Sequence, residues 1–123
     1  MTKKARSSVL CIGNDPVSLN LRSSLLKEHG WNVFTAGSGH DGIQRFTHQV
    51  VDAVVVDLNN GGAEAAIITG ELKRLKPGIP VVMLVPDEKA TETEATRLAD
   101  AVVVKPQEGH KLVGALKAVL HKQ

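Results

Sequence analysis

The amino-acid sequence predicts an α/β fold: a doubly wound, five-stranded parallel sheet with helices on both faces. Two observations predict it. Five short runs rich in β-branched residues punctuate the chain: SVLCI (8–12), NVFTA (32–36), DAVVVD (52–57), PVVMLV (80–85) and AVVVK (101–105). Three of them are continuously apolar, as expected of strands covered on both sides. Stretches with helical spacing separate the runs, and parallel neighbours require crossover elements of this kind.

The first run stops abruptly at Gly13, Asn14, Asp15 and Pro16. Asp15 and Pro16 have the chemistry of an N-cap and a first helical turn, because the cap oxygen satisfies free amides and proline has none to lose. Val17, Leu21 and Leu25 follow at four-residue steps, and His29–Gly30 supplies a common C-terminal signal. Ser38 or Gly39 opens a shorter second helix carrying Ile43 and Phe46. Ala65, Ile68, Leu72 and Leu75 mark a third, weakened by Gly70 and stopped by Pro77. Residues 88–99 make a poor fourth helix, since Thr91, Thr93 and Thr96 lower its propensity. Leu112, Val113, Leu116, Val119 and Leu120 make a good fifth.

The bulk composition narrows the function. At 123 residues the chain has the size of one domain: a basic tail over 1–7 and a single unit over 8–123. A net charge of +2 gives no strong field for nucleic acid or membrane. Trp31, Phe34 and Phe46 are too few for a base-stacking surface. No run approaches the roughly 20 apolar residues of a membrane span. The single cysteine, Cys11, lies inside an apolar run and reads as a buried thiol in a reducing, cytoplasmic setting. His29, His40, His48, His110 and His121 show no ligand spacing and read as surface residues. No enzymatic activity is expected.

In a doubly wound sheet the functional crevice lies at the carboxyl ends of the strands. Gly13, Asn14, Asp15, Asp57, Val85 and Lys105 end there. Asp57 and Lys105 could meet as a carboxylate and an ammonium at a partly desolvated rim. A competing signal is GSGHDG (37–42), which matches G-x-G-x-x-G through Gly37, Gly39 and Gly42, with Asp57 placed 20 positions after Gly37. It offers a dinucleotide-binding alternative, although it follows the second strand and precedes a short helix. A small-residue turn with a helix cap explains the same residues.

From Val9 to about Leu120 the chain resembles the receiver domain of bacterial response regulators. The pieces that carry the resemblance are VLCIGNDP, HGWNV, DAVVVDL, PGIPVVML and ADAVVVKP, in that order. The resemblance implies the flavodoxin-like receiver fold, a phospho-acceptor role for Asp57 and a phosphoryl-contacting role for Lys105. It also implies a cis bond between Lys105 and Pro106, and a histidine kinase or an output protein as partner in a phosphorelay.

Several family positions are altered. The acids that hold Mg²⁺ fall at Gly13 and Asn14, the hydroxyl residue at Val85, the aromatic switch at Val102, and a proline after the acceptor at Gly61. Three carboxylates and one lysine would be neutralised by one Mg²⁺, whereas Asp57 and Lys105 already sum to zero. Mg²⁺ prefers hard anionic oxygens, and what affinity is left would rest on Asp57 and Asn59. Asp15 could compensate in part, but capping the helix is its better-motivated role. The expectation is therefore a degenerate receiver with no cofactor beyond weak Mg²⁺, and Asp57 paired directly with Lys105. A conventional receiver phosphorylated at Asp57 is the alternative. Asp87, Glu88, Glu92 and Glu94 face the basic set His110, Lys111, Lys117, His121 and Lys122 in charge, which suggests a weak homodimer through the fourth and fifth helices.

Overall fold

The computed structural model describes residues 6–58, 63–105 and 108–121. The five strands are β1 (Ser8–Gly13), β2 (Asn32–Ala36), β3 (Ala53–Asp57), β4 (Val81–Val85) and β5 (Ala101–Val104). The helices are α1 (Pro16–Glu28), α2 (Gly39–His48), α3 (Ala63–Leu75), α4 (Glu94–Arg97) and α5 (Glu108–Leu120). All strand pairs are parallel, in the order β2-β1-β3-β4-β5. Every β1, β3 and β4 residue from Val9 onward is buried, which is why those runs lack the polar alternation of a one-sided strand.

The side chains of the sheet divide into two cores. Leu10, Ile12, Val54, Val56 and Met83 pack with Phe46, Ala65, Leu72 and Ala95 of α2, α3 and α4. Val9, Cys11, Val55, Val82 and Leu84 pack with Leu19 and Leu26 of α1 and with Leu112 and Leu116 of α5. Cys11 is buried in the second core, and all five histidines are exposed, as expected.

Two helices differ from expectation. Leu19, Arg22, Ser23 and Leu26 form the buried face of α1, while Val17 and Leu21 are exposed. A four-residue stripe identifies a helix but not which side the sheet covers. Here the sheet covers the side that carries an arginine. The fourth helix is a 3-10 turn over Glu88–Thr91 followed by a single α turn. The threonines that weaken it also hold it: the Thr93 side chain accepts from Thr96 N–H, and Thr96 Oγ1 accepts from Thr93 N–H.

α1 ends as anticipated. Gly30 adopts φ of 92°, and its amide donates to Lys27 O at 2.9 Å. A left-handed residue there returns the chain into β2 at no Cβ cost.

Candidate functional site at the carboxyl ends of β1, β3 and β5

The reversal of strand order falls between β1 and β3, so loops leave their carboxyl ends in opposite directions and open a crevice. Register pairs Gly13 with Asp57 across that gap. Asp57 is almost wholly buried, and an isolated carboxylate at such depth would carry a large desolvation cost.

Two cations meet that need. Lys105, one residue past β5, donates from Nζ to Asp57 Oδ1 at 2.7 Å. Its backbone amide donates to Val85 O at 2.8 Å, which ties the lysine to the end of β4. This is the carboxylate–ammonium pair expected from the sequence. The second cation was not expected. Arg22 donates from Nη2 to Asp57 Oδ2 at 3.0 Å, and both side chains are only 3% exposed. Arg22 lies one turn after Leu19 and one turn before Leu26, so the packing of those leucines aims it under the sheet end. The signal available in the sequence was a long cation between two helical core positions, which at that depth calls for an anion.

The small residue at the end of β1 accommodates it. A Cβ placed on Gly13 would stand 3.8 Å from Arg22 Nη1, 3.6 Å from Leu19 Cδ1 and 3.4 Å from Asp57 O. Those are contact distances, so a side chain longer than a methyl would enter the space of the guanidinium. Asn14 is exposed. Asp15 is exposed as well and caps α1: its carboxylate accepts from Val17 N–H at 3.3 Å and from Ser18 Oγ at 2.7 Å. Those bonds, the Ser18 hydroxyl foremost, hold the Asp15 carboxyl below its ordinary range, and the charge of Lys105 adds to the effect. Asp15 is thus engaged as the cap of α1.

Val85 ends β4 buried, and Val102 lies partly buried in β5. Asn59, Gly61, Pro106 and the bond between Lys105 and Pro106 lie outside the described residues. Among the described residues, no group of three or more His, Cys, Asp or Glu gathers where a metal ion could be held. Among the described residues, Asp57 meets both cations and Asp15 is engaged in its helix cap, so no uncommitted carboxylate faces the crevice. That donor set does not fit Mg²⁺, which takes anionic oxygens in octahedral geometry.

Two glycines of GSGHDG, Gly39 and Gly42, have a packing explanation. A Cβ on Gly42 would fall 2.4 Å from Ile12 Cδ1, and one on Gly39 would fall 2.6 Å from Ile68 Cδ1. Ser38 caps α2 by accepting from Asp41 N–H at 3.1 Å. Gly39 and Gly42 therefore let α2 approach β1 and α3.

The profile of the response regulator receiver domain family matches residues 9–117. The chain belongs to that family. This receiver is 30% identical over 117 residues to the probable transcriptional regulatory protein TcrX of Mycobacterium tuberculosis, covering 94% of the chain and 50% of TcrX. The chain thus spans half the length of that relative. Its fold matches the response regulator TrrA of Thermotoga maritima in complex with Mg(2+)-BeF at a TM-score of 0.84 and 22% identity, over 92% of this chain and 98% of TrrA. TrrA in its complex with the histidine kinase ThkA matches at 0.83 and 23% identity, over 93% and 98%. The family places the chain in two-component signal transduction, so the dinucleotide reading of Gly37, Gly39 and Gly42 gives way: Gly39 and Gly42 serve packing, while a Cβ on Gly37 would meet nothing within 4 Å. Among the described residues, no helix is long and apolar enough to cross a membrane.

Proposed function

We propose that this receiver works with a degenerate acceptor pocket and signals through protein contacts, with phosphorylation at Asp57 weak or absent. The observation that supports the reading is the engagement of both Asp57 oxygens, Oδ1 by Lys105 and Oδ2 by Arg22. A phospho-acceptor carboxylate attacks through one of its oxygens, and here each is held by a charge-assisted hydrogen bond. The acids that would bring a metal to the reacting phosphoryl group are replaced by Gly13 and Asn14, and the charge stabilisation such a metal supplies goes with them. Val85 offers no hydroxyl, and Val102 no aromatic ring, to transmit a bound phosphoryl group to the β4–β5 face.

The partners that fit this reading are a histidine kinase or an output protein, met in the cytoplasm and without regard to phosphate. A weak homodimer through the fourth-helix region and α5 belongs to the same reading: Asp87, Glu88, Glu92 and Glu94 are exposed along the segment from the 3-10 turn into α4, and His110, Lys111 and Lys117 on α5. The deciding experiment supplies radiolabelled acetyl phosphate with millimolar Mg²⁺ to the full chain. The expected result is no label above that of Asp57→Asn. Stoichiometric label at Asp57 would establish the conventional acceptor instead.

A further inference from the structure

We infer that Arg22 is the resident cation of the acceptor pocket: a tethered guanidinium that stands beside Asp57 where a divalent metal would have to bind, and excludes it. The inference rests on reading Asp57 as the acceptor position, and it goes further than the loss of acids at 13 and 14. It makes Arg22 an active competitor, so restoring the acids alone cannot restore a metal site.

The geometry argues for competition rather than vacancy. A metal on Asp57 Oδ2 would sit about 2.0–2.1 Å from that oxygen, which already accepts from Arg22 Nη2 at 3.0 Å. The ion would then stand within a few ångströms of a fixed positive charge in a site shielded from water, where repulsion is far stronger than in bulk. Arg22 cannot step aside cheaply, because it belongs to the same buried face of α1 as Leu19, Ser23 and Leu26. A guanidinium also keeps its proton under all ordinary conditions, so no change of pH releases the place.

Gly13 completes the arrangement. A Cβ at this position would already stand 3.8 Å from Arg22 Nη1, in van der Waals contact. A carboxylate introduced at position 13 would therefore meet the guanidinium before it met a metal. Positions 13 and 22 should behave as a coupled pair, in which an acid at one is useful to a metal only after the cation at the other is gone.

The test compares four full-length chains: the native sequence, Arg22→Gln, Gly13→Asp with Asn14→Asp, and all three substitutions together. Binding of Mn²⁺ alone is followed by the loss of its free paramagnetic signal, and urea unfolding verifies each fold. The triple variant is expected to bind Mn²⁺ at least tenfold more tightly than the acid pair with Arg22 retained. Equal affinity of those two chains would overturn the inference. Should Arg22→Gln not fold, Arg22→Leu takes its place on the apolar α1 face. Arg22→Lys in the acid background keeps the charge and is expected to bind weakly, and tight binding there would also overturn the inference. Phosphoryl labelling of the native chain is a separate readout. Label at Asp57 that persists when the metal is chelated, with the Mn²⁺ coupling intact, would remove the proposed function and leave this inference standing, whereas label that requires Mg²⁺ would overturn both.

Discussion

Arg22 and Asp57 stand 35 positions apart in the sequence and 3.0 Å apart in the fold, joining α1 to the end of β3 in a place almost closed to water. Removing Arg22 leaves Asp57 Oδ2 buried without its donor while Lys105 still holds Oδ1. Arg22→Ala is expected to destabilise the domain by about 2–3 kcal/mol. Arg22→Met combined with Asp57→Asn should cost less than the two single changes added, with a coupling of about 1–3 kcal/mol. Urea unfolding of the four chains measures it, and simple additivity would contradict the pair.

Lys105 is the weaker partner. Its side chain keeps 21% of its exposure, against 3% for Arg22. Lys105→Ala does not strand Asp57, as a lysine-only pocket would have required, because Arg22 still holds Oδ2. The expected loss is about 1–2 kcal/mol. A loss equal to that of Arg22→Ala would show that the two cations share the carboxylate evenly.

Glycine substitutions separate packing from propensity. On α5, a Cβ at Gly114 meets nothing within 4 Å, so Gly114→Ala should stabilise the domain by about 0.5–1 kcal/mol. On α2, the same change at Gly42 drives a methyl into Ile12 and should destabilise it by about 1–2 kcal/mol despite the helix gain. Thermal melts of the two variants should move in opposite directions.

The cap of α1 carries a pH signature. The folded-state Asp15 carboxyl is held below the ordinary 3.8, chiefly by the Ser18 hydroxyl. A depressed carboxyl contributes stability that is fully present above its unfolded value and lost as pH falls through the folded one. Asp15→Ala should therefore lower stability at pH 7, and the gap to the native chain should shrink below about pH 4. A gap that persists unchanged at pH 2 would mean that the carboxylate is not what caps the helix.

A dimer through α4 and α5 would depend on exposed charges, each pair contributing less than about 1 kcal/mol. Sedimentation at high protein concentration should show association in low salt that fades as salt is raised. Lys111→Glu with Lys117→Glu should abolish it. A strictly monomeric profile would reserve this face for a different protein.

The sheet was legible because its strands are apolar on both sides, and a run such as DAVVVD needs no partner to declare itself. Strand ends in a parallel sheet converge on one rim, which made Asp57 and Lys105 candidates, and the resemblance to receiver domains singled them out. Arg22 was not legible, for a physical reason: the visible stripe of Val17 and Leu21 points to solvent, and the buried face gains its meaning from an acid on another strand. The fourth helix was read as poor, and its break into two short turns follows local caps, Asp87 to Ala90 and Thr93 to Thr96, whose three-residue spacing the sequence already carried.

That break has a consequence for motion. The segment from Asp87 to Arg97 contains one 3-10 turn and one α turn, fastened by Asp87 Oδ1 accepting from Ala90 N–H and by the Thr93–Thr96 exchange. So short a ladder leaves few amides whose exchange demands global unfolding. Amide deuterium uptake should therefore be rapid here while β1, β3 and β4 stay protected. Under the proposed function, this is the edge expected to reshape around another protein through a local opening, without a bound phosphate to trigger it.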